Sequence, residues 1–408
     1  FPQHDFAPVS KVFGNILHFI KINKFKILKI AFVDHHNGLS GGQRSISVFI
    51  NFIREKSLKT SKLNYILILD SKKGDFYEWL ISNGFESKIR LIKMNTVDSR
   101  QKNFSKIASR PLDILKNLTL TKTPYILADI LKVEKIDIVY GNSFKAGFYI
   151  SICKLFLRIK FAFRVRTALD YSNHGWIDKL ILNLSDIIFA NSFYIKNTIK
   201  QKYHQKTLVI YNHLKLEKNA LKFNTERNNN LNVLIVGRIT ERKRQVEAVN
   251  FLNKFPHYKC KFTFVGNVEE NSNSYYKTLR KKIKECKRPT AFNFIDFTND
   301  IHSLMVKYDV ILLPSIFEPL SRVIIESMAL GCILVTTNDS GNKELIVHGE
   351  NGYLYNPGDL QALKNVFDKV SFRNNSKIQM NARATFEEYF NEEVTVKAEL
   401  NALKSLVR

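Results

Sequence analysis

The sequence predicts a two-domain α/β protein in which each domain contains a Rossmann-like parallel sheet with helices on both faces. Three observations support this fold class. The 408 residues are enough for two domains with complete hydrophobic cores. Short aliphatic runs recur between segments of helical length, as expected for strands that are buried on both faces. A polar stretch at residues 215–230 divides these runs into two series.

Nine aliphatic runs are predicted as strands. The first series consists of Leu28–Val33, Tyr65–Leu69, Ile136–Tyr140, Asp186–Ala190 and Thr207–Ile210. The second series consists of Asn232–Val236, Lys261–Val265, Asp309–Leu313 and Cys332–Thr336. We therefore predict a first domain at residues 26–214, a linker at 215–230 and a second domain at 231–384. Residues 1–25 are predicted as an amphipathic extension, and residues 385–408 as a helical segment that returns to the first domain.

Positive charge is concentrated in the front half of the chain. The net charge is +26, and residues 1–220 contain 36 Lys and Arg against 16 Asp and Glu. Such an excess attracts an anionic partner, which is a membrane surface, a nucleic acid or a phosphorylated substrate, or it only solvates the surface. The apolar residues of Lys11–Ile22 share one helical face, which is typical of a helix on anionic lipid and equally of one packed on its own domain.

The composition also argues against several classes of protein. The four cysteines are far apart and form no CxxC pair, which indicates a reducing compartment and neither a zinc site nor a disulfide framework. No apolar run reaches the roughly 18 residues of a membrane-spanning helix. No motif that reads nucleic acid is present, so we expect no nucleic-acid partner. These features predict a cytoplasmic protein, with peripheral binding to the inner face of the cell membrane.

A ligand site is predicted within FEPLSRVIIESMALG, Phe317–Gly331. The run Asp309–Leu313, just before it, is predicted as a buried strand. A helix is predicted at Arg322–Leu330, with Ser321 as its N-cap and Gly331 as the residue that ends it. In open α/β sheets, ligands bind at such a loop-to-helix corner. The free N–H groups and the positive dipole end of the helix favour a phosphate there.

Glu318 and Glu326 lie on either side of this predicted helix start. Glu326 is five residues past the cap, about 7.5 Å along the axis, whereas Glu318 precedes the cap. A carboxylate has two oxygens and can accept hydrogen bonds from both hydroxyls of a vicinal diol. The spacing therefore suits a nucleoside diphosphate sugar, with one acid on the ribose, the other on the sugar ring and the diphosphate between them.

These residues resemble the E-x₇-E signature of retaining glycosyltransferases of family 4, the group 1 family, which has the GT-B fold. Upstream, VGRITERKRQ is similar to that family's G-R-x₄-K segment, and NGLSGGQRS is similar to its glycine-rich loop. The segments NSFKAG, SDIIFANSFYIKNTI, FVGN and DFTNDIHSLMVKYDVILLPS occur in the family's order. The resemblance covers nearly the whole chain from about residue 28.

The resemblance implies an enzyme that moves a sugar from a nucleotide sugar, UDP- or GDP-linked, to a glycan or lipid-linked acceptor, in cell-envelope polysaccharide or glycolipid synthesis. It implies that Arg238 and Lys243 neutralise the donor diphosphate, so that no metal or other cofactor is needed. It also implies that Glu326 binds the ribose and Glu318 the donor sugar. The other donor-binding positions that it implies are Gly41, Gly42, Gly237, Phe297, Pro319, Leu320, Ser321, Arg322 and Val323.

The sequence departs from the family at two places. Ser321 stands where the family usually has glycine, and Arg166 stands where the front half usually has histidine, with His174 eight residues later. Arg166, His174 and Ser192 are the predicted acceptor-side residues, although a helix cap explains Ser192 equally well. The missing histidine supports an alternative function, a non-catalytic protein of GT-B fold that binds nucleotide sugars.

Overall fold

The computed structural model describes residues 27–36, 38–60, 63–71, 74–94, 118–169, 175–215, 230–268, 272–372 and 375–407. The predicted N-terminal extension, His174 and residues 216–229 of the predicted linker lie outside the described residues.

The described residues form two sheets in which all paired strands are parallel. The first sheet contains β1 (Leu28–Asp34), β2 (Leu63–Asp70), β3 (Ile89–Ile92), β4 (Ile138–Gly141), β5 (Lys160–Val165), β6 (Ile187–Ala190) and β7 (Thr207–Val209). The second contains β8 (Leu231–Val236), β9 (Cys260–Val265), β10 (Phe292–Ile295), β11 (Val310–Leu313), β12 (Leu334–Thr337) and β13 (Tyr353–Tyr355). Their orders are β3-β2-β1-β4-β5-β6-β7 and β10-β9-β8-β11-β12-β13. The predicted pair of Rossmann-like parallel sheets is confirmed.

Helices cover both faces of each sheet. Those of the first half are α1 (Gly41–Thr60), α2 (Asp75–Ser82), α3 (Leu118–Val133), α4 (Phe144–Lys154), α5 (Trp176–Leu184) and α6 (Phe193–Thr198). Those of the second half are α7 (Val246–Lys254), α8 (Asn273–Lys284), α9 (Ile301–Met305), α10 (Arg322–Leu330), α11 (Asn342–Leu345), α12 (Leu360–Phe372), α13 (Ser376–Tyr389) and α14 (Glu392–Ser405). No helix in the described part of the chain is both long enough and apolar enough to span a membrane.

The continuous apolar character of the strands follows from this double cover. In β1, Ala31 and Val33 pack into one hydrophobic cluster, whereas Ile30 and Phe32 pack into another on the opposite face of the sheet. Successive side chains of a strand point to opposite faces, so apolar residues are favoured at consecutive positions when both faces are covered. Burial of each large side chain contributes about 1.5–3 kcal/mol.

The last helix packs on the first sheet, far from its neighbours in sequence. Val396, Leu400 and Leu403 of α14 belong to the same hydrophobic cluster as the residues of β1 and β2. The chain therefore crosses between the two halves twice, once before β8 and once between α13 and α14. The two crossing segments lie side by side, because Leu214 and Asn391 form a parallel β-bridge.

A buried acid fixes α14 to this sheet. Both carboxylate oxygens of Glu399 accept hydrogen bonds from Nη1 of Arg164 at 2.7 Å, and Tyr140 donates to the same carboxylate at 2.6 Å. His213 Nε2 lies 2.6 Å from Oε2. Burial alone raises the pKa of Glu399, but Arg164 and His213 outweigh it and hold that pKa at about 2.

Strand order predicts where a ligand binds. In the first sheet the connections diverge between β1 and β4, and in the second sheet they diverge between β8 and β11. A crevice opens at such a switch point, outside the carboxyl ends of the strands, and ligands of open α/β sheets bind in it. The residues that follow β1, β4, β8 and β11 are therefore the first to consider.

Candidate active site

The segment after β8 folds back on itself and brings a lysine to the switch point of the second sheet. Gly237 has φ +144°, a conformation that side chains rarely adopt, and an added Cβ would lie 3.2 Å from Cε of Lys243. A 3₁₀ turn at Glu241–Lys243 reverses the chain. Lys243 is consequently placed over the end of β8, while Arg238 next to Gly237 is exposed.

Lys243 meets the loop that follows β11. Its Nζ lies 2.7 Å from Oε1 of Glu318, and Nη1 of Arg242 lies 3.6 Å from Oε2 of the same side chain. Glu318 is only 5% exposed, so its charge needs these partners. The sequence placed Lys243 and Glu318 in one site, and the fold brings them into direct contact.

The loop that carries Glu318 is held in an unusual backbone conformation. Phe317 has φ +55°, and its N–H donates to Oδ2 of Asp339 at 2.6 Å. The N–H of Gly341 donates to the carbonyl of Glu318 at 2.9 Å. A Cβ on Gly341 would lie 2.1 Å from the carbonyl oxygen of Pro319, so only glycine fits there. Two backbone segments thus fix the direction of the Glu318 side chain.

The helix predicted after this loop is confirmed as α10, which begins after Ser321 and ends at Gly331 with φ +66°. The side chain of Ser321 makes no capping hydrogen bond, so the backbone alone defines this helix start. Glu326 is 7% exposed and lies 3.4 Å from Nη2 of Arg322. Nη1 of Arg322 donates to the carbonyl of His213 at 3.3 Å. Leu320 is buried and Val323 half-buried beside them.

The predicted glycine pair begins α1 and faces arginines from both halves of the molecule. A Cβ on Gly41 would lie 3.1 Å from Cδ of Arg322, and a Cβ on Gly42 would lie 3.6 Å from Cδ of Arg166. The contact between Gly41 and Arg322 crosses the cleft, so the two switch points face each other.

Polar residues that the sequence analysis did not single out occupy the switch point of the first sheet. Asp34, the last residue of β1, accepts hydrogen bonds from Gln43 at 2.9 Å and from the amide of Asn142. Asn142 in turn accepts hydrogen bonds from Nη1 of Arg166 through its side chain and, at 3.0 Å, through its carbonyl. Asp34 and Asn142 stand at the ends of the apolar runs of β1 and β4, and this position in the sequence could have identified them as candidate site residues.

His35 continues this cluster. Its Nδ1 lies 2.7 Å from Oγ of Ser143, and burial together with His36 lowers its pKa to about 4. Among the described residues, Asp34, His35 and His36 form the one group that brings three potential metal-ligating atoms within 4.8 Å of one another. The carboxylate of Asp34 is already hydrogen-bonded to Gln43 and Asn142.

The two halves are also joined at α6. Ser192 caps this helix, and its hydroxyl donates to the carbonyl of Pro319 at 2.7 Å. The carboxylate of Glu344 accepts hydrogen bonds from the N–H groups of Phe193 at 2.8 Å and Tyr194 at 3.1 Å, and from the hydroxyl of Tyr211 at 2.9 Å. Burial raises the pKa of Glu344. Ser192 is therefore both a helix cap and a contact to the loop of Glu318.

Phe297, a predicted donor-side residue that follows β10, is exposed. The residue is 55% exposed, and the guanidinium of Arg44 lies 5.9 Å from the centroid of its ring. Its N–H donates to Oδ1 of Asn267 at 3.2 Å. Phe297 therefore marks the edge of the cleft, where Arg44 of α1 comes near the second half.

Comparison with known proteins finds a family model that matches the second half in sequence. Residues 217–386 match the family model described as Glycosyl transferases group 1. The chain is 24% identical over 377 residues to an uncharacterized glycosyltransferase of Haemophilus influenzae, which covers 88% of this chain and 96% of that protein. It is 25% identical over 309 residues to an Escherichia coli UDP-Gal:alpha-D-GlcNAc-diphosphoundecaprenol alpha-1,3-galactosyltransferase, which covers 67% of this chain and 76% of that protein.

Solved structures share the fold over most of the chain. Anabaena HepE, crystallised with UDP and glucose, superposes with a TM-score of 0.72 at 20% identity and covers 93% of this chain and 100% of its own. Residues 217–386 therefore match the group 1 glycosyl transferases in sequence, and the described residues have the GT-B fold.

Proposed function

We propose that this protein transfers a sugar from a nucleotide sugar, with retention of the anomeric configuration, to a glycan or lipid-linked acceptor. The observation that carries the proposal is the meeting of Lys243, Glu318 and the start of α10 at the switch point of the second sheet. Cations, a helix N-terminus and two buried acids suit a diphosphate between two diols.

Each of these residues has a distinct task in the proposed reaction. Arg238 and Lys243 stabilise the charge that develops on the departing diphosphate, which is where electrostatic catalysis is most effective. Glu326 binds the ribose hydroxyls. Glu318 holds the donor sugar so that its anomeric carbon faces the acceptor. The acceptor oxygen bonds to that carbon as the bond to the diphosphate breaks, and a diphosphate oxygen takes the acceptor proton.

We infer that the donor is a UDP-sugar and that the acceptor is part of a cell-envelope polysaccharide or glycolipid. The match to HepE, which was crystallised with UDP, supports the uracil nucleotide. The name of the Escherichia coli relative supports a lipid-linked acceptor, because that enzyme acts on a diphosphoundecaprenol-linked sugar. We place the acceptor on the basic first half, across the cleft from the donor, and expect the protein to work at an anionic membrane surface.

The test is product formation from a panel of UDP- and GDP-sugars with crude lipid-linked acceptors, followed by proton NMR of the first product. We expect turnover with one UDP-sugar and the donor's own anomeric configuration in the product. Glu318→Ala should lower kcat far more than it raises the donor KM, because its contact is made mainly in the transition state. An inverted linkage would contradict the mechanism. Tight donor binding without turnover of any donor would favour the non-catalytic alternative.

A further inference from the structure

A hydrogen bond from the first half of the molecule reaches the backbone beside Glu318. The hydroxyl of the buried Ser192 donates to the carbonyl of Pro319 at 2.7 Å. The same hydroxyl oxygen accepts the N–H of Ile195 at 3.1 Å, as the cap of α6. A hydroxyl has one proton to donate and a carbonyl can only accept, so the direction of the bond to Pro319 is fixed. Ser192 is therefore held by its own helix and directs its proton at a loop of the other half.

Three consecutive carbonyls of this loop have assigned donors. Two are bound within the second half, that of Phe317 by Nη1 of Arg242 at 3.2 Å and the next one by the N–H of Gly341 at 2.9 Å. The third carbonyl, that of Pro319, accepts its hydrogen bond from Ser192. At this third carbonyl, the alignment of the loop therefore depends on the first half of the molecule.

Pro319 connects this hydrogen bond to Glu318. The proline ring fixes φ near −65°, and a proline also restricts the backbone of the residue before it. Leu320, on the other side of Pro319, is buried. The segment consequently has few torsions through which the Pro319 carbonyl moves without Glu318. A small backbone rotation is enlarged at the carboxylate of Glu318, because the carboxylate lies at the end of the side chain.

A separate set of contacts holds α6 against the second half. The carboxylate of Glu344 accepts hydrogen bonds from the N–H groups of Phe193 and Tyr194 and from the hydroxyl of Tyr211. These three bonds do not involve the hydroxyl of Ser192, so they remain available when that hydroxyl is removed. An effect of Ser192 on the loop can therefore be distinguished from a separation of the two halves.

We propose that Ser192 is a positioning residue, which aligns Glu318 with the donor sugar through its hydrogen bond to Pro319. Ser192 acts through the loop and touches neither the donor nor the acceptor, unlike the acceptor-side role predicted for it from the sequence. The proposal rests on the proposed function in that Glu318 is taken to hold the donor sugar. A displacement of about 1 Å in a group that positions a substrate can lower a rate about a hundredfold.

Steady-state kinetics of the full chain with its UDP-sugar tests this role in Ser192→Gly, Glu318→Ala and the double variant. Glycine is tolerated at a helix N-cap, so Ser192→Gly removes the hydroxyl at little cost to α6. We expect Ser192→Gly to lower kcat about ten- to a hundredfold without changing the Kd of UDP. In the Glu318→Ala background the same change should lower kcat little further, because residues that act through one another are not additive. The control Asp300→Gly removes the cap of α9 and should keep the kcat of the parent protein.

Amide hydrogen exchange tests the alignment of the loop without turnover. The N–H groups of Phe317 and Gly341 are hydrogen-bonded within the second half and exchange when the loop opens. We expect both to exchange faster in Ser192→Gly than in the parent protein, and at the parent rate in Asp300→Gly. The N–H of Phe193 reports whether the two halves stay together, and its exchange should not change.

The outcomes separate this proposal from the proposed function. Equal factors lost from kcat in both backgrounds, or unchanged exchange at the loop, would overturn the positioning role of Ser192. If Ser192→Gly does not fold, Ser192→Cys is judged by the same criteria, because its thiol is only a weak donor. A parent protein that turns over no nucleotide sugar would remove the proposed function, and faster exchange at the loop would still show that Ser192 aligns it. Turnover with an unchanged kcat in Ser192→Gly would remove the positioning role and leave the function.

Discussion

The ammonium nitrogen of Lys243 lies 2.7 Å from Oε1 of Glu318, so two residues that we expect to bind different parts of the donor form an ion pair with each other. Glu318 is buried, and Arg242 is its second cationic neighbour at 3.6 Å. A donor diphosphate that binds Lys243 must therefore compete with the carboxylate of Glu318. This competition gives the two residues opposite effects on the binding of a free nucleotide.

We predict that Lys243→Ala weakens UDP binding by about ten- to a hundredfold, because it removes a charged hydrogen bond to the diphosphate. Glu318→Gln should strengthen UDP binding, because Lys243 is released from its carboxylate, while turnover of the UDP-sugar falls. Isothermal titration calorimetry measures both affinities. Lys281→Ala, a change in an exposed lysine of α8, is the control and should bind UDP normally. Weaker UDP binding in Glu318→Gln would show that Lys243 and Glu318 do not compete in this way.

Glu344 should be important for the contact between the two halves. Glu344→Ala leaves the N–H groups of Phe193 and Tyr194 and the hydroxyl of Tyr211 without their acceptor. An unsatisfied buried donor costs about 1–3 kcal/mol, so we expect a clearly lower Tm and a larger radius of gyration in small-angle scattering. Glu344→Gln keeps one acceptor oxygen, so its Tm and radius of gyration should lie between those of Glu344→Ala and those of the parent protein. Equal scattering curves for all three proteins would show that Glu344 does not hold the halves together.

The buried cluster around Glu399 predicts a loss of stability in acid. The pKa of Glu399 is held at about 2, below its ordinary value near 4.5, so its contribution is complete above about pH 4.5 and is lost as pH falls towards 2. Burial also lowers the pKa of His213 below 6.5. The unfolded chain therefore takes up a proton at this side chain before the folded protein does, and the free energy of unfolding decreases as pH falls below 6.5. Urea unfolding should give a free energy that decreases between pH 7 and pH 3.

Glu399→Ala tests the same cluster at neutral pH. It leaves the charge of Arg164 buried without its acid, which costs about 3–5 kcal/mol. Glu399→Gln should be less destabilising, and its unfolding free energy should depend less on pH below 4.5. Equal pH dependence of Glu399→Gln and the parent protein in that range would exclude Glu399 as the titrating group.

A membrane surface should bind the first half through an exposed apolar patch. The patch consists of Tyr125 and Ile126 of α3 and of Leu155 and Phe156 after α4, and the rings of Tyr125 and Phe156 stack at 5.8 Å. Residues 1–220 carry most of the positive charge. We expect co-sedimentation with anionic vesicles that decreases with salt and weakens in Tyr125→Ser/Phe156→Ser, because surface attraction is screened within about 8 Å at physiological ionic strength. Equal binding to neutral and anionic vesicles would show that the positive charge does not contribute to membrane binding.

The sequence predicted the strands that are aliphatic throughout, and it missed strands whose character depends on distant residues. β5 was missed because its sequence KFAFRV contains Arg164, and a charge in a central strand is tolerated only because Glu399 lies 235 positions further along the chain. The short edge strands β3 and β13 have half-buried positions and too few residues to show a pattern. Local sequence cannot show a partner that only the fold provides.

The same distinction holds for the candidate site. The spacing of four residues after strands or a helix start indicated a shared site: Gly237, Lys243, Glu318 and Glu326. The roles of these residues in ligand binding stay predictions. The contacts of Glu344 with α6, and of Arg322 with the carbonyl of His213, join residues more than 100 positions apart. No local pattern encodes such contacts, because they exist only after the two halves come together.

The β-bridge between Leu214 and Asn391 holds the two segments that connect the halves side by side. The second half is inserted into the first, since the chain leaves the first half after β7 and returns to it with α14. Two connections far apart would prevent the two halves from rotating relative to each other. Two adjacent connections permit such a rotation about one axis that passes near Leu214. Rotation about this axis would change the width of the cleft only if the hydrogen bonds that Ser192 and Glu344 make between the halves break, and a single cut between residues 216 and 229 would leave both pieces joined through α14.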